Sequence, residues 1–330
     1  MKKALSLLLA AAMIFTFSAC QSAPAAAETK GIKIVTTIFP AFDFARQVSG
    51  DKASVKQLLP AGAESHTFEP APQDIITLQN CDLFIYAGGE SDVWIDDILA
   101  SLGEKAPKTL KMLDCVDPLC EEFVEGMQHD HEHDHEHDHE HDHEHDHEHH
   151  EHSEDEYDEH VWTSPKNAIK ITERITAELS TLDPENAASY EKNAADYIEK
   201  LTAIDKKLTE TINSAKRKTI VVGDRFPFRY LAEHYGLEYY AAFPGCSSDS
   251  DAGAQTVIFL TEKVKSEQLP AVLYIEFSTH KVADAIADSA KVGIELLHSC
   301  HNVTDEQVKN GVDYLSLMQQ NIEILAKVLN

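Results

Sequence analysis

The feature that most constrains this chain is one long amphipathic helix near its middle. Asp183 is placed to cap it, and Pro184 suits the first helical position. Tyr190, Ala194, Tyr197, Leu201, Ile204, Leu208 and Ile212 then recur every three or four residues and form a single apolar stripe. At 1.5 Å per residue, Glu185 to Ala215 spans ~45 Å. A rod of that length, apolar along one face, must lie across whatever the rest of the chain builds. A shorter helix precedes it, with Ser164 as the expected cap and Pro165 at its first position.

On each side of the rod, strand and helix signals alternate. Apolar runs of strand length fall at Ile32–Ile38, Ser54–Leu59, Leu83–Ala87 and Leu110–Leu113, with helical patterns at Phe42–Val48, Asp74–Gln79 and Val93–Leu102. The second half repeats the style. Its strands are expected at Thr219–Val222, Glu238–Ala242, Ala271–Phe277 and Ile294–Leu297, and its helices at Phe228–Tyr235, Ala254–Ser266, Lys281–Lys291 and Asp305–Leu329. Such alternation builds mainly parallel α/β layers. The expected fold class is α/β: two similar lobes joined by one long rigid helix, with a site in the cleft between them.

The N-terminus sets the compartment. Lys2 and Lys3 precede an apolar run from Ala4 to Phe17, which ends at Ser18-Ala19-Cys20. This reads as a secretory signal and is short for a transmembrane helix, which needs ~20 apolar residues. A Cys just after the cleavage point resembles a bacterial lipoprotein signal, with Cys20 lipidated; ordinary secretion that discards Cys20 is the alternative. The segment after it is Ala-, Ser- and Pro-rich and reads as a tether. The expected division is a signal over 1–20, a tether over 21–31, a first lobe over 32–183, the linking helix over 184–216 and a second lobe over 217–330.

Net charge is −29, which argues against nucleic acid as a partner. Much of that charge is local: sixteen Asp and Glu, and no Lys or Arg, lie between His129 and His160. Thirteen of the nineteen His fall between His129 and His152: His129, His131, His133, His135, His137, His139, His141, His143, His145, His147, His149, His150 and His152. No core can be built from a His-Asp-His-Glu repeat, so 128–157 is expected to be a loop without fixed order. Imidazole with carboxylate suits zinc, and also copper or nickel. The run spells HExxH from His131 to His135, but that motif has meaning only on a helix that sets both His on one face.

Three of the remaining His occupy informative places. His66 follows the second strand in a Pro- and Gly-containing loop, His160 stands just before the capped helix, and His298 ends the last strand with Cys300 and His301 close behind. In open α/β sheets the ligand crevice lies outside the carboxyl ends of the strands. His66, His160 and His298 are therefore the expected metal ligands. His234 and His280 are read as surface residues. Of the cysteines other than Cys20, none forms a CxxC pair. A disulfide is permitted outside the cytoplasm, and Cys246 with Cys300 is the favoured pair.

Several segments together resemble the zinc and manganese substrate-binding proteins of ABC transporters, the class with a rigid helix between two lobes. Pro60 through Pro70, with its Glu-Ser-His66-Thr-Phe-Glu core, is similar to the family's first ligand loop, and Glu159-His160-Val161-Trp162 to its second. Asp183 through Ala187, Tyr190 and Asn193 resemble the start of its linking helix, and Gly311 through Met318 its final helix. An acidic His-rich loop before the second ligand is a habit of the zinc members. The resemblance runs from about Ile32 to the C-terminus.

One departure stands out. The family places a third ligand, His or Glu, in the turn after the first strand of the second lobe. Here that turn reads Val222-Gly223-Asp224-Arg225-Phe226, with no His. The family's fourth ligand, often Asp, aligns with His298, so the resemblance implies a core of His66, His160 and His298 with Asp224, Glu276, His301 or a water completing a tetrahedron. The resemblance implies a non-enzymatic, monomeric receptor that carries Zn2+ in preference to Mn2+. It would be anchored by lipid to the extracytoplasmic membrane face and deliver metal to a cognate ABC permease with its ATPase. Two other readings stand beside it. One is an extracellular zinc hydrolase with Glu64, Glu69 or Glu276 as base. The other is a metal-buffering or adhesion lipoprotein.

Overall fold

The computed structural model describes residues 31–64, 67–127, 157–247 and 251–330. Cys20, His66 and the His-rich stretch lie outside the described residues. From Ile32 to Asn330 the chain packs as one unit.

The first half forms a parallel sheet of β1 (Ile32–Thr36), β2 (Ala53–Gln57), β3 (Leu83–Tyr86) and β4 (Lys108–Lys111), in the order β2-β1-β3-β4. Helices α1 (Phe39–Ser49), α2 (Pro72–Gln79) and α3 (Val93–Leu102) connect these strands. Then come α4 (Pro165–Leu182) and the long α5 (Ala187–Ser214). The second half repeats the first: β5 (Thr219–Arg225), β6 (Glu238–Phe243), β7 (Ala271–Tyr274) and β8 (Gly293–Leu296) form a parallel sheet in the order β6-β5-β7-β8. Its helices are α6 (Arg229–Tyr235), α7 (Ala254–Ser266) and α8 (Lys281–Ala290). Because helices cover such sheets, central strands carry unbroken apolar runs: Leu83, Phe84 and Ile85 of β3, and Ile220, Val221 and Val222 of β5, are fully buried.

The stripe on α5 is buried at Tyr190, Ala194, Tyr197, Leu201, Leu208 and Ile212, while Ile204 is partly covered. The helix packs on α4 and α1 and on the C-terminal α10 (Tyr314–Val328). One apolar cluster continues from Ile34 and Ile85 through Tyr197 and Leu201 to Ile220 and Leu273. A core shared in this way opposes large hinge motion between the halves, since packed interiors deform little. Asp43 is a polar node inside it, accepting from Arg46 Nη2 (2.5 Å), Tyr197 OH (3.3 Å) and Tyr314 N–H (3.1 Å).

The helix starts differ in detail from the expectation. Asp183 does not cap through its side chain; its Oδ2 accepts from Asn186 Nδ2 (2.7 Å) and Tyr190 OH (2.8 Å), and a single 3-10 turn, Pro184–Asn186, leads into α5. Ser164 Oγ likewise turns away from its helix to His234 Nδ1, 2.7 Å distant, leaving His234 half-buried. The expected final helix is two helices, α9 (Asp305–Lys309) and α10. Gly311 separates them with φ +69°, a conformation that side chains with Cβ resist, and Asp313 restarts the chain by accepting from Ser316 N–H (2.9 Å).

Among the described residues all five cysteines are free, so the expected Cys246–Cys300 disulfide is absent. Cys300 is sealed in the apolar core, whereas Cys246 lies in the loop after β6, against Glu159 and His160. No helix among the described residues is long and apolar enough to cross a membrane.

Candidate metal site

In both sheets the strand order reverses between the first and third strands of the half, the point where loops leaving the carboxyl ends diverge and open a crevice. Two adjoining cavities occupy these positions. One is lined by Glu64, His160, Arg225, Glu276, Ser299 and His301, among others. The other includes Thr37, Ala87, Asp92 and Glu159, and His301 lines it as well.

His160 is fully buried at the start of a 3-10 turn, Val161–Thr163, that leads to α4. Asp158 Oδ1 faces both its backbone N–H (2.8 Å) and its ring Nδ1 (3.0 Å). A proton on Nδ1, held by that carboxylate, leaves the Nε2 lone pair as the ligating one, and the partner makes the ring more basic. Burial works against the charged imidazolium, but Asp158, Glu159 and Glu121 outweigh it and raise the pKa of His160 above the ordinary value. The loop after β6 closes on the ring: a Cβ on Gly245 would come within 3.1 Å of His160 Cε1. Only glycine permits that approach without displacement.

His301 meets His160 edge to face, with centroids 4.9 Å apart, and leans on Trp162. Ser299 Oγ stands 3.4 Å from its Nδ1. Its backbone is anchored twice: its N–H donates to Glu276 Oε1 (3.2 Å), and its carbonyl accepts from Phe39 N–H (3.1 Å) in the first half. The next residue extends this tie. Asn302 Nδ2 donates to the carbonyls of Pro60 (2.7 Å) and Ala63 (2.9 Å), holding the base of the loop that carries His66.

His298 is placed otherwise. Its Nδ1 accepts from Cys300 N–H (3.0 Å) and lies 3.2 Å from Glu276 Oε1, and it is not among the residues lining either cavity. Cys300 adopts φ +63°, an uncommon conformation outside glycine, and the chain turns there. The turn separates the two imidazoles: His301 lines the crevice, and His298 sits behind it. Glu276 binds the turn together through Ser299 N–H (2.7 Å) and Ser299 Oγ (2.6 Å). Burial alone would raise its pKa, but His298 and the Ser299 donors hold the carboxyl below the ordinary value.

Asp224 does not line the crevice and accepts from Arg225 N–H (2.9 Å). Burial raises its pKa, which disfavours the carboxylate form. Arg225 reaches across the cleft to Glu64, with contacts of 3.0 and 3.4 Å, instead of pairing with Asp224 by side chain. His280 is exposed and pairs with Asp284. Reading along the sequence did not single out Asp158, Gly245 or the approach of Cys246 to Glu159 and His160. The Glu159-His160 pair beside an acidic residue and the Pro-Gly-Cys turn were the available signals.

The two repeated sheets, the stiff joining helix and a His-lined interlobe crevice define a two-lobed binding protein of the rigid-helix class. Residues 34–328 match the family described as zinc-uptake complex component A, periplasmic (ZnuA), and the chain belongs to that family. It is a family of binding components of an uptake system, not of enzymes. The chain is 36% identical over 323 residues to the zinc-binding lipoprotein AdcA of Streptococcus pneumoniae serotype 4, covering 98% of this chain and 60% of the relative. It is 33% identical over 328 residues to the high-affinity zinc uptake system protein ZnuA of Bacillus subtilis strain 168, covering 98% and 97%. The crystal structure of the Zn(II)-bound ZnuA-like domain of S. pneumoniae AdcA has a TM-score of 0.71 at 31% identity, covering 91% of this chain and 99% of that one. The chain thus spans about 60% of the length of the AdcA relatives it matches.

Proposed function

We propose that this protein is the extracytoplasmic receptor that captures Zn2+ and delivers it to an ABC permease driven by its ATPase. In this reading it is a monomer without enzymatic activity, anchored through a lipid on Cys20. The ligands are His160 and His301, joined by His66 from the loop that Asn302 tethers. Glu276 positions the turn carrying His301 and is available as an oxygen ligand, while His298 and Asp224 act behind the site.

The observation that carries the reading is the His160–His301 pair. Two buried imidazoles from different halves of the chain meet in the crevice, each with an oxygen partner at Nδ1. Such oriented nitrogen ligands favour zinc over manganese, which prefers more oxygen. Zinc here is cargo, and a site divided between two halves lets small loop movements change the coordination and release it.

Chelator-competition titrations of the full chain test this assignment. His160→Ala and His301→Ala should each abolish tight zinc binding, whereas His298→Ala should retain it with a loss of ~10–100-fold, as expected of a supporting partner. Tight binding retained in His301→Ala but lost in His298→Ala would return the third ligand to His298.

A further inference from the structure

Besides the His160–His301 pair, the described residues hold one set of three side chains able to ligate a metal: Glu159, His160 and Cys246, whose ligand atoms all lie within 4.8 Å of one another. Glu159 and His160 are buried and Cys246 is partly so. We propose that Cys246, Glu159 and His160 form a second metal position, which shares His160 with the zinc site and is occupied in alternation with it. The inference rests on His160 being a ligand of the crevice site.

Three observations converge on it. The first is chemical: thiolate, carboxylate and imidazole are all established zinc ligands, and one of each gives a set whose two negative charges neutralise a dication. The second is positional. Gly245 packs on the His160 ring, and Cys246 N–H donates to Glu121 Oε1 (3.0 Å), so the turn is tied down on both sides of the thiol. The third is electrostatic. Two further carboxylates stand against the set, Asp158 Oδ1 at 3.0 Å from His160 Nδ1 and Glu121 Oε1 accepting from Cys246 N–H, and their charge favours a bound cation.

Ligation forms a metal–sulfur bond and releases the thiol proton to water, with no change of oxidation state. Neutral imidazole has one lone pair, so His160 serves one ion at a time. The ion is held either on the Cys246 side or on the His301 side. Cys246 sits beside the paired stems of the His-rich stretch: Cys120 bridges to Tyr157, and Asp158 N–H donates to the Leu119 carbonyl (2.9 Å). A metal position there is a staging point at the edge of the crevice.

Cobalt(II) distinguishes the two positions, because only sulfur ligation gives a near-ultraviolet thiolate-to-cobalt band. The imidazoles and carboxylates of the His-rich stretch contribute none. With the reduced full chain carrying His301→Ala, cobalt(II) should produce this band at one thiolate per protein. Adding Cys246→Ser or Cys246→Ala should abolish it, and adding Cys120→Ser should leave it intact. No band in the His301→Ala protein, or a band that survives both Cys246 substitutions, overturns the second position. Failure of the receptor reading is separate: it would show as absence of tight zinc binding in the unaltered chain, whatever the cobalt spectrum.

Discussion

Arg225, in the turn where the resemblance implies a histidine or glutamate ligand, forms a two-contact ion pair across the cleft with Glu64, at 3.0 and 3.4 Å. Both side chains line the same cavity as His160 and His301. A guanidinium there opposes a dication and occupies a nearby carboxylate. Arg225→Gln should therefore tighten zinc binding roughly tenfold, equivalent to ~1.4 kcal/mol. Because the pair is partly exposed, its loss should change stability by no more than ~1 kcal/mol. Weaker zinc binding in a variant with unchanged melting would show that Arg225 instead positions a ligand.

The Asp158–His160 contact predicts a graded effect. Asp158→Asn keeps the shape but removes the charge that orients and enriches the ring, and zinc affinity should fall ~10–100-fold without loss of the fold. Competition titration and circular dichroism together check it; an unchanged affinity would remove Asp158 from the site.

Zinc binding should depend on pH in a stated direction. The pKa of His160 is raised in the folded protein. The proton therefore competes with zinc at higher pH than for an ordinary imidazole, whose reference value is ~6.5. Affinity should begin to fall above that value and continue falling as pH drops. For the metal-free protein the sign is opposite: the raised pKa contributes stability that is fully present below the unfolded value and is lost as pH rises through the folded one. Zinc titrations and metal-free melting curves at matched pH should thus slope in opposite senses, as far as His160 controls them. Affinity that is flat from about pH 7.5 to about pH 5, a range that brackets the reference value, would contradict imidazole ligation.

Deleting His129 through His152 should leave one tight zinc site and remove several weak ones, since a period-four repeat defines no single geometry. Isothermal titration separates the two classes. Disappearance of the tight site on deletion would place its ligands in the repeat.

Asp43 supplies a stability prediction remote from the metal. Asp43→Ala would leave the buried Tyr314 N–H and Tyr197 OH without their acceptor and should cost ~3 kcal/mol. Urea denaturation measures this, and a loss below ~1 kcal/mol would mean that the core relaxes to satisfy both donors.

Much of this protein was readable along the chain. Strand–helix alternation in both halves follows from local apolar periodicity, and so does the stripe from Tyr190 to Ile212, because burial of one helical face leaves a mark every three or four residues. His160 was legible for a similar reason: it stands at a punctuated helix start. What required tertiary structure was which of His298 and His301 lines the crevice. They are three residues apart, and no periodicity distinguishes them. The choice depends on the left-handed turn at Cys300, which Glu276 stabilises from a different strand end. The surroundings of Cys246 were hidden for the same cause, since Glu159 and His160 are distant in sequence; it is free, as is its expected partner Cys300, which faces the core. Local pattern determines which surfaces must be buried; which side chains then meet at the strand ends depends on the packing of segments that carry no record of one another.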